Sequence, residues 1–550
     1  MTRADPSQLP AFALSGNVVD ILGRRVFPAT IAVVGDRIAG VTPDTARYDT
    51  FLLPGFVDAH IHVESSMLPP AEFARMAVVH GTVATASDPH EIANVLGIEG
   101  VRYMIDSAGS AALHVCLGAP SCVPATSFET AGGRLDAAAV EALLADPRIG
   151  YLSEVMNVPG VLAGDGDLVA KIAAAKRANK PIDGHAPGLR GADCRRYFAA
   201  GISTDHECFT YEEAKEKIEC GVKILIREGS AARNFQALYP LLDEHPDQCM
   251  LCSDDQHPND LERGHINTLV ARAVERGIDP FNALRAACVN PVLHYGLPVG
   301  LLRPGDPADL IEVADLTSFR VLRTWRRGRL VARDGETLIP RTPAARINRF
   351  ESRPRRTEDF AIRARGDSIR VIGAADGQLV TRELRERPTV RDALAQADPD
   401  RDLLKIAVVN RYADAPPAVG FVRGFGLRRG AIASSVAHDS HNVVAVGASD
   451  ADLAQAVNQV IRDRGGLAVV DGNGVGSLPL PIAGLMSDAD GYEVARDYAS
   501  LDRRAKDLGS RLGAPFMTLS FMALLVIPEL KLSDRGLFDA TCWRLITPFE

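Results

Sequence analysis

The chain has 550 residues, too many for one hydrophobic core, so two or three domains are expected. Its 46% hydrophobic and 24% charged residues are ordinary for a globular protein, and a net charge of −9 argues against a nucleic-acid or anionic-membrane partner. No apolar run reaches the roughly 18 residues of a membrane span, and Met1-Thr2-Arg3-Ala4-Asp5-Pro6 lacks the plan of a secretory signal. Nine scattered cysteines suit reduced thiols, so a cytoplasmic location is expected.

Residues 14–53 read as short strands with turns, among them Asn17-Val18-Val19-Asp20-Ile21 and Ile31-Ala32-Val33-Val34 followed by Gly35-Asp36. The same texture returns in Asp309-Leu310-Ile311-Glu312-Val313 and Val321-Leu322-Arg323-Thr324-Trp325. Together they predict a small β-sandwich domain built from both flanks of an insertion, residues 1–54 plus 296–346. Residues 55–295 alternate short apolar runs with helical patterns such as 168–178 and 211–220. Eight runs, at 56–63, 82–87, 111–119, 149–155, 181–186, 202–206, 222–227 and 249–253, predict a (β/α)8 TIM-like barrel. The Arg-rich stretch 341–365 reads as a solvated linker. Residues 347–550 read as an extra C-terminal α/β domain, with strands at 443–447 and 467–470 and a helix over 450–464. Gly472-Asn473-Gly474-Val475-Gly476 reads as a turn, because Pro479 and Pro481 preclude the helix that a dinucleotide loop needs.

Barrel active sites sit at the C-terminal ends of the strands, and polar residues collect there in this chain. The first run ends in His60-Ile61-His62, two imidazoles on one face of a strand. The fourth ends in Ser153-Glu154, the fifth in Gly184-His185-Ala186, the sixth in Thr204-Asp205-His206-Glu207 and the eighth in Cys252-Ser253-Asp254-Asp255. His60, His62, His185 and His206 with Glu154 and Asp254 suffice for two divalent ions, and Glu154 has two oxygens with which to bridge them. Nitrogen and oxygen ligands without thiolate suit Mn2+, Fe2+ or Zn2+. Such a pair polarises a substrate and generates hydroxide near neutral pH, and a neighbouring carboxylate can pass the proton to a leaving group. The chemistry expected is hydrolysis at an electrophilic carbon bonded to nitrogen. Cys249 and Cys252 read as packing residues and not as metal ligands, since i and i+3 on a strand face opposite sides.

Pro54-Gly55-Phe56-Val57-Asp58-Ala59-His60-Ile61-His62 resembles the opening motif of the amidohydrolase superfamily, and Gly305-Asp306-Pro307-Ala308-Asp309-Leu310 resembles its return to the β domain. His62-Val63-Glu64-Ser65-Ser66-Met67, Ser87-Asp88-Pro89-His90-Glu91-Ile92, Arg227-Glu228-Gly229-Ser230, Ser253-Asp254-Asp255 and Ala437-His438-Asp439-Ser440-His441-Asn442 are more closely similar to the bacterial adenine deaminase family. The resemblance implies that His60, His62 and Asp254 hold one metal, that His185 and His206 hold the second, and that Glu154 bridges. Many superfamily members bridge with a carboxylated lysine, but no Lys lies in residues 148–166. It further implies deamination of adenine to hypoxanthine by a metal-bridging hydroxide, with Asp254 as proton carrier and Mn2+ or Fe2+ favoured over Zn2+; apart from the resemblance, a homodimer is expected. Another nitrogen heterocycle stands as the alternative substrate. Asp255, His90, Glu91, Arg227 and Glu64 are the candidate substrate contacts. Against that reading, Asp255 and Glu91 also suit helix caps, and Arg227 also suits loop pairing. His438 and His441 read either as a polar loop or as part of a lid over the barrel mouth.

Overall fold

A computed structural model describes residues 11–549. The opening hexapeptide and residues 1–10 of the expected β domain lie outside the described residues. The two flanks meet in one sheet of eight strands, in spatial order Glu336–Thr337, Arg329–Arg333, Val321–Arg326, Leu310–Val313, Phe51–Pro54, Phe12–Asp20, Arg25–Val34 and Arg37–Pro43. The strands are hydrogen-bonded continuously, and Ile38 N donates to Asp306 O (2.9 Å), so the far edge of the sheet folds back onto the other flank. Leu310–Val313 lies antiparallel to Phe51–Pro54, with Leu310 opposite Pro54, so the two flanks join edge to edge.

The insertion forms eight parallel strands, here β1 (Phe56–Ile61), β2 (Thr82–Ser87), β3 (His114–Ala119), β4 (Ile149–Val155), β5 (Ile182–Gly184), β6 (Thr204–Asp205), β7 (Lys223–Arg227) and β8 (Cys249–Cys252). One strand falls in each of the eight predicted windows. Strands such as β1 and β2 are buried along their whole length, as expected when helices cover the outer face of a parallel sheet. The ladder runs unbroken from β1 to β5 and from β6 to β8, and two seams close the ring. At one seam Ser203 N donates to Ile182 O (2.8 Å). Only glycine fits beside it at position 184, because a Cβ there would stand 2.4 Å from Thr204 O. At the other seam Asp254 N donates to His60 O (2.9 Å) and His62 N to Asp254 O (3.3 Å), which fixes the end of β8 against the end of β1.

The helices expected over 168–178 and 211–220 are Gly166–Arg177 and Tyr211–Glu219. Asp165 and Thr210 cap them by accepting from Leu168 N and Glu213 N. Residues 341–356 run without regular structure. The stretch is not wholly solvated, because Phe350 is buried beneath the Arg411 guanidinium, 4.8 Å from its ring.

The C-terminal region is built on a second eight-stranded sheet, in order Arg382–Glu386, Ile369–Gly373, Ala418–Arg423, Leu404–Val409, Val443–Gly447, Ala431–Ser434, Gly466–Asp471 and Gly474–Pro479. Helix Asp450–Asp463 buries Leu453, Val457, Val460 and Ile461 against it. Asp471 pairs with Gly474, so Gly472 and Asn473 form a hairpin turn, as the prolines implied. Helix Gly491–Asp507 packs on barrel segments Pro258–Leu261 and Pro70–Ala77. There Leu68, Phe73 and Met76 share one core with Tyr498, Leu501 and Phe516, and Arg75 Nη1 pairs with Asp490 Oδ2 (2.9 Å). The region is thereby clamped over the barrel mouth. No described helix is long and apolar enough to cross a membrane.

Candidate metal centre and active site

The strand ends deliver their polar residues to one buried cluster. Asp58, His60 and His62 project to the same side of the β1 terminus. Asp58 anchors that strand to its neighbour by accepting from Ser253 N (3.1 Å), and it also pairs with His265 Nε2 (2.9 Å). His60 Nε2 and His62 Nε2 lie 3.2 Å apart. Asp254 Oδ1 stands 3.5 Å from the first and 3.3 Å from the second. Glu154 divides its two oxygens between two pairs of imidazoles. Oε1 faces His62 Nε2 (3.1 Å) and His60 Nε2 (3.8 Å), while Oε2 faces His185 Nδ1 (2.6 Å) and His206 Nε2 (3.3 Å). All six residues predicted as ligands converge, from β1, β4, β5, β6 and β8.

The donor set fits a pair of cations. Imidazole nitrogens converge on one another and on carboxylate oxygens at spacings that a shared ion reconciles, and Glu154 Oε1, though buried, has no hydrogen-bond donor of its own. His60, His62 and Asp254 form one compact triad of donor atoms, and His60, Glu154 and His206 form another. Burial alone would raise the Glu154 carboxyl, but His206 and His185 hold it well below the ordinary carboxylate range. Asp254 behaves alike: against burial, the Arg227 guanidinium and the imidazoles of His60 and His62 keep it ionised.

Asp254 and Asp255 face the same cavity although they are adjacent. Asp254 has φ = 58°, in the left-handed region that aspartate tolerates better than most residues, so the strand's alternation ends there. Asp255 Oδ1 accepts from Ser65 Oγ (2.5 Å). Arg227 is held between two carboxylates: Nη1 donates to Asp254 Oδ2 (2.5 Å) and Glu207 Oε1 (2.5 Å), and Nη2 to Glu207 Oε2 (2.9 Å), while its buried Nε has no hydrogen-bond partner among the described residues. His90 Nδ1 pairs with Asp88 Oδ2 (3.0 Å) and lies 3.5 Å from Glu154 Oε1, while its buried Nε2 has no hydrogen-bond partner. Glu91 turns from the barrel toward His438 and His441. Glu64 does not line the cavity. It sits behind it, accepting from Ile92 N (3.3 Å), and burial pushes its carboxyl up to about 7.

Glu207 and the apolar cavity residues of the C-terminal region were not singled out from the sequence. Glu207 was visible as the residue after His206, and its signal was the arginine at the end of the next strand. Asp88 fixes His90 and accepts from Ser153 Oγ (2.7 Å). Leu379, Asp439, Phe521, Leu524 and Val526 reach the cavity from the C-terminal region. The apolar ones carry no chemical signature, and only the fold reveals them. Cys249 and Cys252 are buried in β8, away from the cluster, with burial raising both thiols.

Residues 51–331 match the family model described as the amidohydrolase family, and residues 378–543 match the adenine deaminase C-terminal domain. Among the similar curated proteins, the adenine deaminase of Salinibacter ruber is 57% identical over 544 residues, covering 98% of this chain and 100% of that one. Those of Sulfurovum sp. and Methanosarcina acetivorans are 56% and 52% identical, each over 97% of this chain and 99% of theirs.

Proposed function

The chain belongs to the adenine deaminase family of the amidohydrolases, and we infer that it hydrolyses adenine to hypoxanthine and ammonia at the cluster of His60, His62, Glu154, His185, His206 and Asp254. The observation that carries this reading is the agreement with named adenine deaminases along the whole chain, C-terminal domain included. His60, His62 and Asp254 would hold one divalent ion, His185 and His206 the other, with Glu154 between them. Mn2+ or Fe2+ is the expected pair, and the purely nitrogen and oxygen donor set supports it. When bound, the pair acts as a Lewis acid and lowers the pKa of water.

The chain's own groups supply the rest. Asp254 stands beside the cluster with Oδ2 held by Arg227, so its carboxylate is oriented and ionised. It takes a proton from the attacking water and delivers it to the exocyclic nitrogen, the C6–O bond forms, the C6–N6 bond breaks, and ammonia leaves. Asp255, His90 and Glu91 are the substrate contacts placed on the wall, with Glu64 behind them. Arg227 acts through Asp254 as a positioning residue. Nine free cysteines, eight of them buried or half-buried, support placing the enzyme in the reducing cytoplasm.

Metal analysis paired with an adenine absorbance assay tests the reading. Two ions per chain and ammonia release stoichiometric with adenine loss are expected. Full occupancy without adenine turnover would remove the substrate assignment and leave a hydrolase of another heterocycle.

A further inference from the structure

Opposite the metal ligands the cavity is walled by the C-terminal domain. Leu379, Phe521, Leu524 and Val526 form an apolar roof, interrupted by His438 and Asp439. The loop 437–442 that carries those two is buried throughout. Its backbone is fixed from behind: Tyr412 Oη donates to Ser440 O (2.6 Å) and Arg411 Nη1 to His441 O (3.3 Å), while Asn442 Nδ2 crosses to Thr130 O of the barrel (2.9 Å). From the front, His438 Nδ1 and His441 Nε2 each engage one oxygen of Glu91. That leaves His438 Nε2 buried on the cavity wall, without a hydrogen-bond partner among the described residues and 3.7 Å from Asp255 Oδ1. Its ring lies 5.2 Å from that of Phe521. A buried ring nitrogen facing a cavity costs free energy until a polar group occupies the space.

The inference rests on the adenine reading and deepens it. Hydrolysis at C6 brings the nucleophile onto one face of the base, so that face lies toward the metal ligands and the ring edges meet the surrounding walls, His438 and the apolar roof among them. The free space in the cavity is small, about 30 Å³, so a bound base would lie in close contact with the roof. We propose that the C-terminal domain selects the substrate: His438 Nε2 hydrogen-bonds the five-membered-ring edge of the base, and the roof of Leu379, Phe521, Leu524 and Val526 excludes any substituent on N9, nucleosides included.

Steady-state kinetics on the metal-loaded, full-length enzyme tests this with adenine, 9-methyladenine and adenosine. Wild type should favour adenine by ~100-fold or more in kcat/KM. Leu524→Gly should narrow the adenine to 9-methyladenine ratio by ~10-fold. His438→Ala should raise the adenine KM by ~10-fold, the value of one hydrogen bond to a buried group. That variant should keep two metal ions per chain, and His438→Gln should recover part of the loss. Comparable turnover of adenine and 9-methyladenine by wild type would overturn the roof's role without involving any variant. An unchanged KM in His438→Ala would overturn the contact. Failure of wild type to deaminate adenine would remove the deaminase reading, and this inference with it.

Discussion

The floor and the roof of the cavity bury polar groups in opposite ways. On the floor, ionisable side chains meet one another: four imidazoles, Glu154, Asp254, Glu207 and Arg227 are packed within a few ångströms, and removing one leaves several unbalanced. On the roof, apolar side chains form the surface and the polar loop 437–442 is held mainly through its backbone, by Arg411 and Tyr412. A floor of converging charges supports chemistry, whereas a roof of shape and fixed backbone supports selection. If this division holds, substitutions on the floor should abolish turnover, and substitutions on the roof should chiefly change KM and specificity.

The largest effect is expected at Glu154, the one side chain that faces both imidazole pairs. Glu154→Ala should leave the two pairs with no carboxylate in common, cutting kcat/KM by ~10⁴-fold and metal content below two ions per chain. Metal analysis beside the adenine assay checks both. Retention of two ions with near-normal turnover would show that the bridge lies elsewhere.

Arg227→Met comes next. It strips the counter-charge from Asp254 and Glu207, both buried, and such a removal costs about 3–5 kcal/mol. The melting temperature should fall, and kcat/KM should drop by ~10²- to 10³-fold because Asp254 loses its orientation. A variant that loses stability but keeps its kcat would make Arg227 structural only.

This floor was legible because barrel strands put their ends at the active site, and residue type at those ends is informative. His60 and His62 at i and i+2, and a histidine or acid closing β4, β5, β6 and β8, carry both position and chemistry. The roof was not legible in that way. His438 and His441 stood out as histidines, but their partner Glu91 lies 347 and 350 residues away in sequence, and no local pattern joins them. Phe521 and Leu524 look like any core residue. The two flanks were read as one β domain, but the register that sets Leu310 opposite Pro54 was not, since that contact is long-range.

Glu91 is where floor and roof meet by charge, so Glu91→Gln should blur the contrast. The amide keeps the shape but weakens two charge-assisted hydrogen bonds, to His438 and His441. KM for adenine should rise by ~10-fold with two ions retained, and kcat should change less. A collapse of kcat with unchanged KM would move Glu91 into the chemical step.

The smallest effect on turnover, and the one that isolates the roof, is expected at Lys531. Among the described residues this buried lysine has no carboxylate partner. Its Nζ donates to the backbone carbonyls of Leu379 (2.7 Å) and Phe521 (3.0 Å), two residues of the roof. Burial pushes its pKa down to about 7. In the unfolded chain the group titrates near 10.4. Between those values the unfolded state binds the proton and the folded state does not, so stability should rise as pH goes from about 7 to about 10. Below pH 7 both states are protonated, and the cost of burying the charge is fully present. Lys531→Met removes that slope and adds only a pH-independent cost at the two carbonyls. Wild type should therefore gain on the variant by several kcal/mol between pH 7 and pH 10, read as the difference of their unfolding free energies in denaturant. Parallel pH profiles would mean that the amine keeps its charge in the roof, and that the two carbonyls solvate it well enough to replace a counter-ion.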